Sequence, residues 1–92
     1  INSRTLQLLR EGDERAFEQI FNFYYNRIYS FALNTLFDKT FAEDITQTVF
    51  ITLWEKRETI EPEIDIAPLL YRKSRAFVTI FTALFPMFFP YP

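Results

Sequence analysis

The 92 residues contain no cysteine, no histidine and a single glycine. Without Cys or His there is no thiolate or imidazole zinc site, no disulfide, no cysteine nucleophile and no Ser-His-Asp triad. One glycine, Gly12, excludes a glycine-rich phosphate cradle and argues against a sheet protein full of tight turns. No apolar run reaches the roughly 20 residues that a membrane-spanning helix needs. The nearest candidate, residues 77–92, has sixteen residues, eleven of them apolar, none charged and three of them proline. No span is expected there. No secretory signal opens the chain, because Ile1 to Arg15 is polar, charged and helix-like. The one methionine is Met87, so the chain reads as a processed product or a fragment.

What is present fits one small globular domain: 49% apolar, 24% charged and 20% aromatic residues, with Phe alone supplying twelve. Charge is uneven. Residues 1–65 carry all twelve acids against seven Lys/Arg, whereas residues 66–92 carry Arg72, Lys73 and Arg75 and no acid. A short basic cluster thus follows an acidic body.

The periodicity predicts an all-α fold of one short and three longer helices. Leu6, Leu9 and Leu8 form the apolar side of a helix over 3–11, ended by Gly12, and Asp13 caps the next. From Glu14 to Leu36, apolar residues recur at spacings of three and four, beginning Phe17, Ile20, Phe21, Tyr24 and Ile28. Phe37 to Lys39 reads as a break. Thr40-Phe41-Ala42-Glu43 reads as a capping box that starts a helix running to Lys56 or Arg57. Its inner stripe is Ala42, Ile45, Val49 and Leu53, with Phe50 and Trp54 beside it. Glu58 to Asp65 loses the period and reads as an acidic loop. Pro68 suits the first turn of a last helix, whose apolar residues are Leu69, Leu70, Ala76, Phe77, Ile80 and Phe81. Prolines 86, 90 and 92 stop that helix. The domain is expected over 1–84, with an apolar tail over 85–92.

The carboxylates form no paired arrangement suited to a metal or to hydrolysis, so no metal, cofactor or enzymatic activity is expected. Two other constellations stand out. Asp44, Gln47 and Thr48 lie at i, i+3 and i+4, on a face turned away from Ile45 and Val49. That polar edge, beside Phe50 and Trp54, reads first as an ordinary exposed helix face and, alternatively, as a seat for a partner helix. Tyr71, Arg72, Lys73 and Arg75 combine cations with an aromatic ring, which reads equally as a solvated basic turn or as a surface of the kind that single-stranded nucleic-acid binders use.

Several strings resemble region 2 of the extracytoplasmic-function group of sigma-70-type transcription initiation factors. They are Leu8-Leu9-x-x-Gly12-Asp13-x-x-Ala16-Phe17, Tyr24-Tyr25-x-x-Ile28-Tyr29-x-x-Ala32, Ala42-Glu43-Asp44-Ile45-x-Gln47-x-Val49-Phe50-x-x-Leu53-Trp54-Glu55, and Leu70-Tyr71-x-x-x-Arg75. The likeness covers residues 5 to 80. It implies a cytoplasmic, non-enzymatic domain that docks on a coiled coil of the largest subunit of core RNA polymerase. That docking falls to Asp44 and Gln47, with Thr48, Phe50 and Trp54 beside them. It also implies reading and melting of the promoter −10 element by the loop from Thr59 to Ile66 and by Tyr71, Arg72, Lys73 and Arg75. An anti-sigma factor is a further partner the family allows.

The chain departs from the family pattern at three places. Thr48 stands where the family has Glu, and Ala76 where it has Asn. The uncharged run from Phe77 replaces a polar, basic continuation. The family's region 4, which reads the −35 element, has no counterpart in these 92 residues. A second reading follows from the tail: a helical interaction module without DNA binding, forming a homodimer through its Phe-rich C-terminus.

Overall fold

The computed structural model describes residues 1–86. The tail expected over 85–92 therefore lies outside the described residues from Met87 onward. Four α-helices follow in order: α1 (Ser3–Arg10), α2 (Glu14–Leu36), α3 (Lys39–Glu55) and α4 (Ala67–Leu84). A single 3-10 turn at Arg57–Thr59 follows α3. No strand occurs among the described residues. The expected all-α architecture is present, with α2 spanning the same residues that its periodicity predicts.

The longest helix organises the core. Its buried residues, Ala16, Ile20, Tyr24, Ile28, Ala32 and Leu36, recur at every fourth position. A period-four line drifts by about 40° per step around an α-helix, so the buried stripe winds as it ascends. Such a stripe contacts several partners, and α2 packs on α1, α3 and α4. Facing it, α3 buries Ala42, Ile45, Thr46, Val49, Phe50 and Leu53. The short connection between α2 and α3 makes them antiparallel neighbours.

Two polar residues lie fully inside this core without cost to hydrogen bonding. The Thr46 hydroxyl donates to the Ala42 carbonyl at 2.7 Å, and the Ser74 hydroxyl to the Leu70 carbonyl at 2.8 Å. Back-bonding to the preceding turn satisfies each donor locally. Ser74 belongs to the segment read as a basic cluster, yet its small size puts α4 close to the bundle. The buried residues of α4 are Leu70, Ser74 and Val78. This corrects the apolar face expected for that helix, since Ala76 is exposed and Ile80 is 49% exposed.

The connections are set by capping. The Asn2 side chain accepts from Thr5 N–H and the Asp13 side chain from Ala16 N–H, both at 2.9 Å. Gly12 has φ +89°, the left-handed region where a side chain is strained, and its N–H donates to Leu9. The α2–α3 joint departs from expectation. Phe37 ends α2 with φ 56° and ψ 32°, and Asp38 caps α3, its carboxylate accepting from Phe41 N–H at 3.0 Å. The helix begins at Lys39, so Thr40 already lies inside it and the Thr40–Glu43 capping box is not formed. Asp38 comes two residues earlier and its carboxylate reaches the third N–H of the helix.

A cap contributes about 1 kcal/mol, against about 1.5–3 kcal/mol for each large apolar side chain removed from water. Packing therefore holds α2 against α3, and Asp38 decides where α3 begins. Asp38→Ala is expected to lower stability by about 1 kcal/mol, and Thr40→Ala to leave it within about 0.5 kcal/mol. Urea unfolding of both variants checks the assignment, and the reverse order would restore the capping box.

Candidate functional site

Two surfaces carry the residues singled out above. The first is the outer face of α3. Asp44 and Gln47 are exposed there, and Thr48 is half-buried at its flank. The Thr48 hydroxyl donates to the Asp44 carbonyl at 2.7 Å, so it is turned onto its own helix. Phe50 is different. It is only 2% exposed, and its ring lies 4.9 Å from Phe21 and 6.2 Å from Tyr25. It is a core residue and presents no surface to a partner, which corrects its place among the docking residues.

Trp54 is half-buried at the end of that face. Its ring meets Phe17 edge-on at 5.3 Å. The Arg57 guanidinium lies 4.3 Å over the Trp54 ring and donates to the Trp54 carbonyl at 3.0 Å. A cation over the indole face holds the ring in place, so Trp54 supports the surface more than it projects from it.

Ile51 was missed in the sequence. It is 58% exposed, four residues after Gln47 and seven after Asp44. Helical geometry puts it roughly 20° from Asp44 around the axis. The available signal was an isoleucine recurring at i+4 and i+7 on an otherwise polar edge. Asp44, Gln47 and Ile51 form a strip of one carboxylate, one amide and one apolar side chain.

The second surface lies where the 3-10 turn and its following loop meet α4. A cleft of about 200 Å³ opens there. Its apolar lining is Ile60, Ile64, Ile66 and Leu69, and its polar lining is Thr59, Glu61, Asp65 and Arg72. Local bonds shape the loop: Ile64 N–H donates to the Glu61 carbonyl at 3.0 Å, and Ala67 N–H to the Asp65 carboxylate at 3.1 Å. The Thr59 hydroxyl donates to the Lys56 carbonyl at 2.6 Å.

The basic residues of α4 do not share one face. Tyr71 is half-buried and meets Phe31 of α2 edge-on at 5.6 Å, and Arg75 follows one turn later on the same flank. Arg72 is exposed, roughly 60° around the helix from Arg75, and turned to the cleft. Lys73 is half-buried and sits roughly 160° from Arg75, on the far flank. The structure thus groups Tyr71, Arg72 and Arg75 and separates Lys73 from them.

The described residues hold no group of three or more His, Cys, Asp or Glu able to bind a metal. Among them no helix is long and apolar enough to cross a membrane.

Residues 20–77 match the family model of sigma-70 region 2, and the chain belongs to that family. It is thereby a sigma-factor domain with a role in transcription initiation, in a family that is not enzymatic. The match contains α3, the cleft and the α4 cations, and leaves out α1. No curated protein and no solved structure matches the chain.

Tyr24 of α2 is a buried member of the core. Its hydroxyl pKa is raised, first by burial, then by the negative field of Asp65 and by Tyr71, with Arg27 acting the other way. An unfolded tyrosine ionises near pH 10, whereas the folded one holds its proton to higher pH. The stability linked to Tyr24 is therefore complete below about pH 10 and is lost as pH rises through the folded value. Alkaline melting curves are expected to fall more gently above pH 10 for Tyr24→Phe than for the parent. Parallel curves would remove Tyr24 as the group responsible.

Proposed function

We propose that the chain acts as an extracytoplasmic-function-type sigma factor domain in the cytoplasm. In this reading it docks on the largest subunit of core RNA polymerase through α3, and it contacts the unpaired −10 promoter strand through the cleft and α4. The observation that carries the reading is the α3 strip. Asp44 and Gln47 stand clear of the core with Ile51 one turn beyond Gln47, on a helix whose other side is fully packed. A carboxylate and an amide supply directional contacts to a partner helix, and an exposed isoleucine supplies apolar area at the end of the strip.

The promoter reading rests on complementary features. Arg72 and Arg75 are three residues apart and follow a phosphate backbone along α4, while Tyr71 supplies an aromatic edge. The loop acids Glu58, Glu61, Glu63 and Asp65 repel phosphate. The backbone is therefore drawn to the α4 side, and an unpaired base turns into the cleft. Thr48, whose hydroxyl is held by its own helix, contributes packing and no charge to the docking contact.

Asp44 and Gln47 make no side-chain bond that α3 needs, so their loss leaves the fold intact. Capture of core RNA polymerase by the Asp44→Ala/Gln47→Ala chain is expected to fall about tenfold, with the helical circular-dichroism signal unchanged. Ile51→Ala is expected to act in the same direction. Undiminished capture by the folded double variant would end the docking assignment.

A second reading, self-association through the C-terminal end of α4, is favoured by one observation. Ile80 is 49% and Leu84 67% exposed there, beside the ring cluster of Phe41, Phe81 and Phe85. Light scattering on the full chain and on its Ile80→Ser/Leu84→Ser variant tests it. A dimer that becomes a monomer in the variant supports this reading, and a monomer in both removes it.

A further inference from the structure

The outward face of α4 is used neither by the α3 strip nor by the promoter contact. We propose that it pairs with the same face of a second copy of the chain, the two helices antiparallel about a two-fold axis level with Val78. This rests on the self-association reading above and adds the face, the direction and the register. It also gives a use to Lys73, which the structure separates from the other cations of α4.

Lys73, Ala76, Ile80 and Ala83 follow one another at intervals of three, four and three, the alternation of a seam between two helices. Val78 is buried in the core. Ala76 and Ile80 each lie roughly 160° around the helix from it, so the middle of the seam is turned straight away from the bundle. Ala76 and Ala83 are exposed, Ile80 is 49% exposed, and Lys73 is half-buried. Single exposed apolar residues are ordinary on a protein surface. A line of them at this spacing, on a helix that carries no acid, is shaped for another helix.

Size and charge make a second copy the occupant. With the axis level with Val78, Ile80 stands opposite Ala76 of the partner subunit, and Lys73 opposite Ala83 of the partner subunit. Each layer thus sets a large side chain against a small one, and the two-fold repeats each layer once. Phe77, half-buried beside the seam, meets its own counterpart near the axis and closes one flank. No charged residue follows Arg75, so the two C-terminal halves bring no opposed charges. A parallel pair would stack Arg72, Lys73 and Arg75 of both copies side by side, and the antiparallel pair holds the two clusters at opposite ends. The last turn of α4 also contains no basic residue, although its final carbonyls carry the partial negative charge of the helix end. Lys73, level with Ala83 of the partner subunit, supplies the missing cation there.

The seam from Lys73 to Leu84 is about three turns long and buries less than the roughly 800 Å² per partner of a standard interface. Light scattering on the full chain is therefore expected to show a dimer at about 100 μM that dissociates near about 1 μM. The chain has no cysteine, so single Cys variants report the register under a short bis-maleimide cross-linker. In the antiparallel pair the two copies of position 76 are about 6 Å apart along the helices, and those of position 83 about 15 Å. Ala76→Cys is expected to give cross-linked dimer at the higher concentration, and Ala83→Cys alone to give about tenfold less. A mixture of the Lys73→Cys and Ala83→Cys chains is expected to recover the product. Helicity of each variant is measured alongside; Ala76 and Ala83 are exposed, so neither substitution disturbs the core. A dimer in which Ala83→Cys links as readily as Ala76→Cys, or in which neither links, overturns the inference and leaves self-association standing. A monomer at every concentration overturns the self-association reading, and the inference with it.

Discussion

The ring of Phe50 sits between α2 and α3, within 4.9 Å of Phe21 and 6.2 Å of Tyr25. An aromatic side chain so placed fixes how α3 is rotated about its own axis. A turn of even one residue, about 100°, would bring Asp44 or Gln47 toward the core and lift Ile45 or Val49 into water. Burying an unpaired carboxylate costs several kcal/mol after relaxation, so that rotation is strongly excluded. The outward strip of Asp44, Gln47 and Ile51 is therefore a consequence of what is packed behind it. Phe50 acts on the outer face of α3 from inside, by deciding which residues the helix shows.

A second constraint works through small size. Ser74 and Ala32 are fully buried, and each is small enough for its helix backbone to come close to its neighbours. The position of α4 follows from that approach, and so does the cleft, since α4 supplies Leu69 and Arg72 to one side of it. The same helix is apolar around much of its C-terminal half, where Ile80 and Leu84 remain exposed. One end of α4 is thus cationic, and the other exposes apolar side chains.

These two constraints explain what could be read from the sequence and what could not. The span of α2 was legible because polar residues punctuate its apolar stripe throughout. The apolar stripe of α3 was legible for the same reason, and Asp44 and Gln47 followed as its complement. The start of α3 was misread because two capping signals overlap: Thr40 with Glu43, and Asp38 with Phe41. Local pattern cannot rank them, and only the path of the chain out of Phe37 selects Asp38. The inner face of α4 was misread because apolar residues occupy all sides of its second half, which erases the period. Its true inner line runs through a serine. The cleft was only partly legible, since its lining comes from both the loop and α4.

The Arg10 guanidinium donates to the Ile60 carbonyl at 3.2 Å, fifty residues away, and Arg57 lies against the Gly12 turn. The first helix thus braces the base of the cleft loop, although it falls outside the segment that matches the family model. For anyone designing a minimal functional unit, the family boundary at residue 20 is the wrong place to cut. Removing α1 would leave the Ile60 carbonyl without its donor and Leu6 and Leu9 missing from the core, and the loss would be felt first in the loop. The smallest portable version of this domain starts at the Asn2 cap.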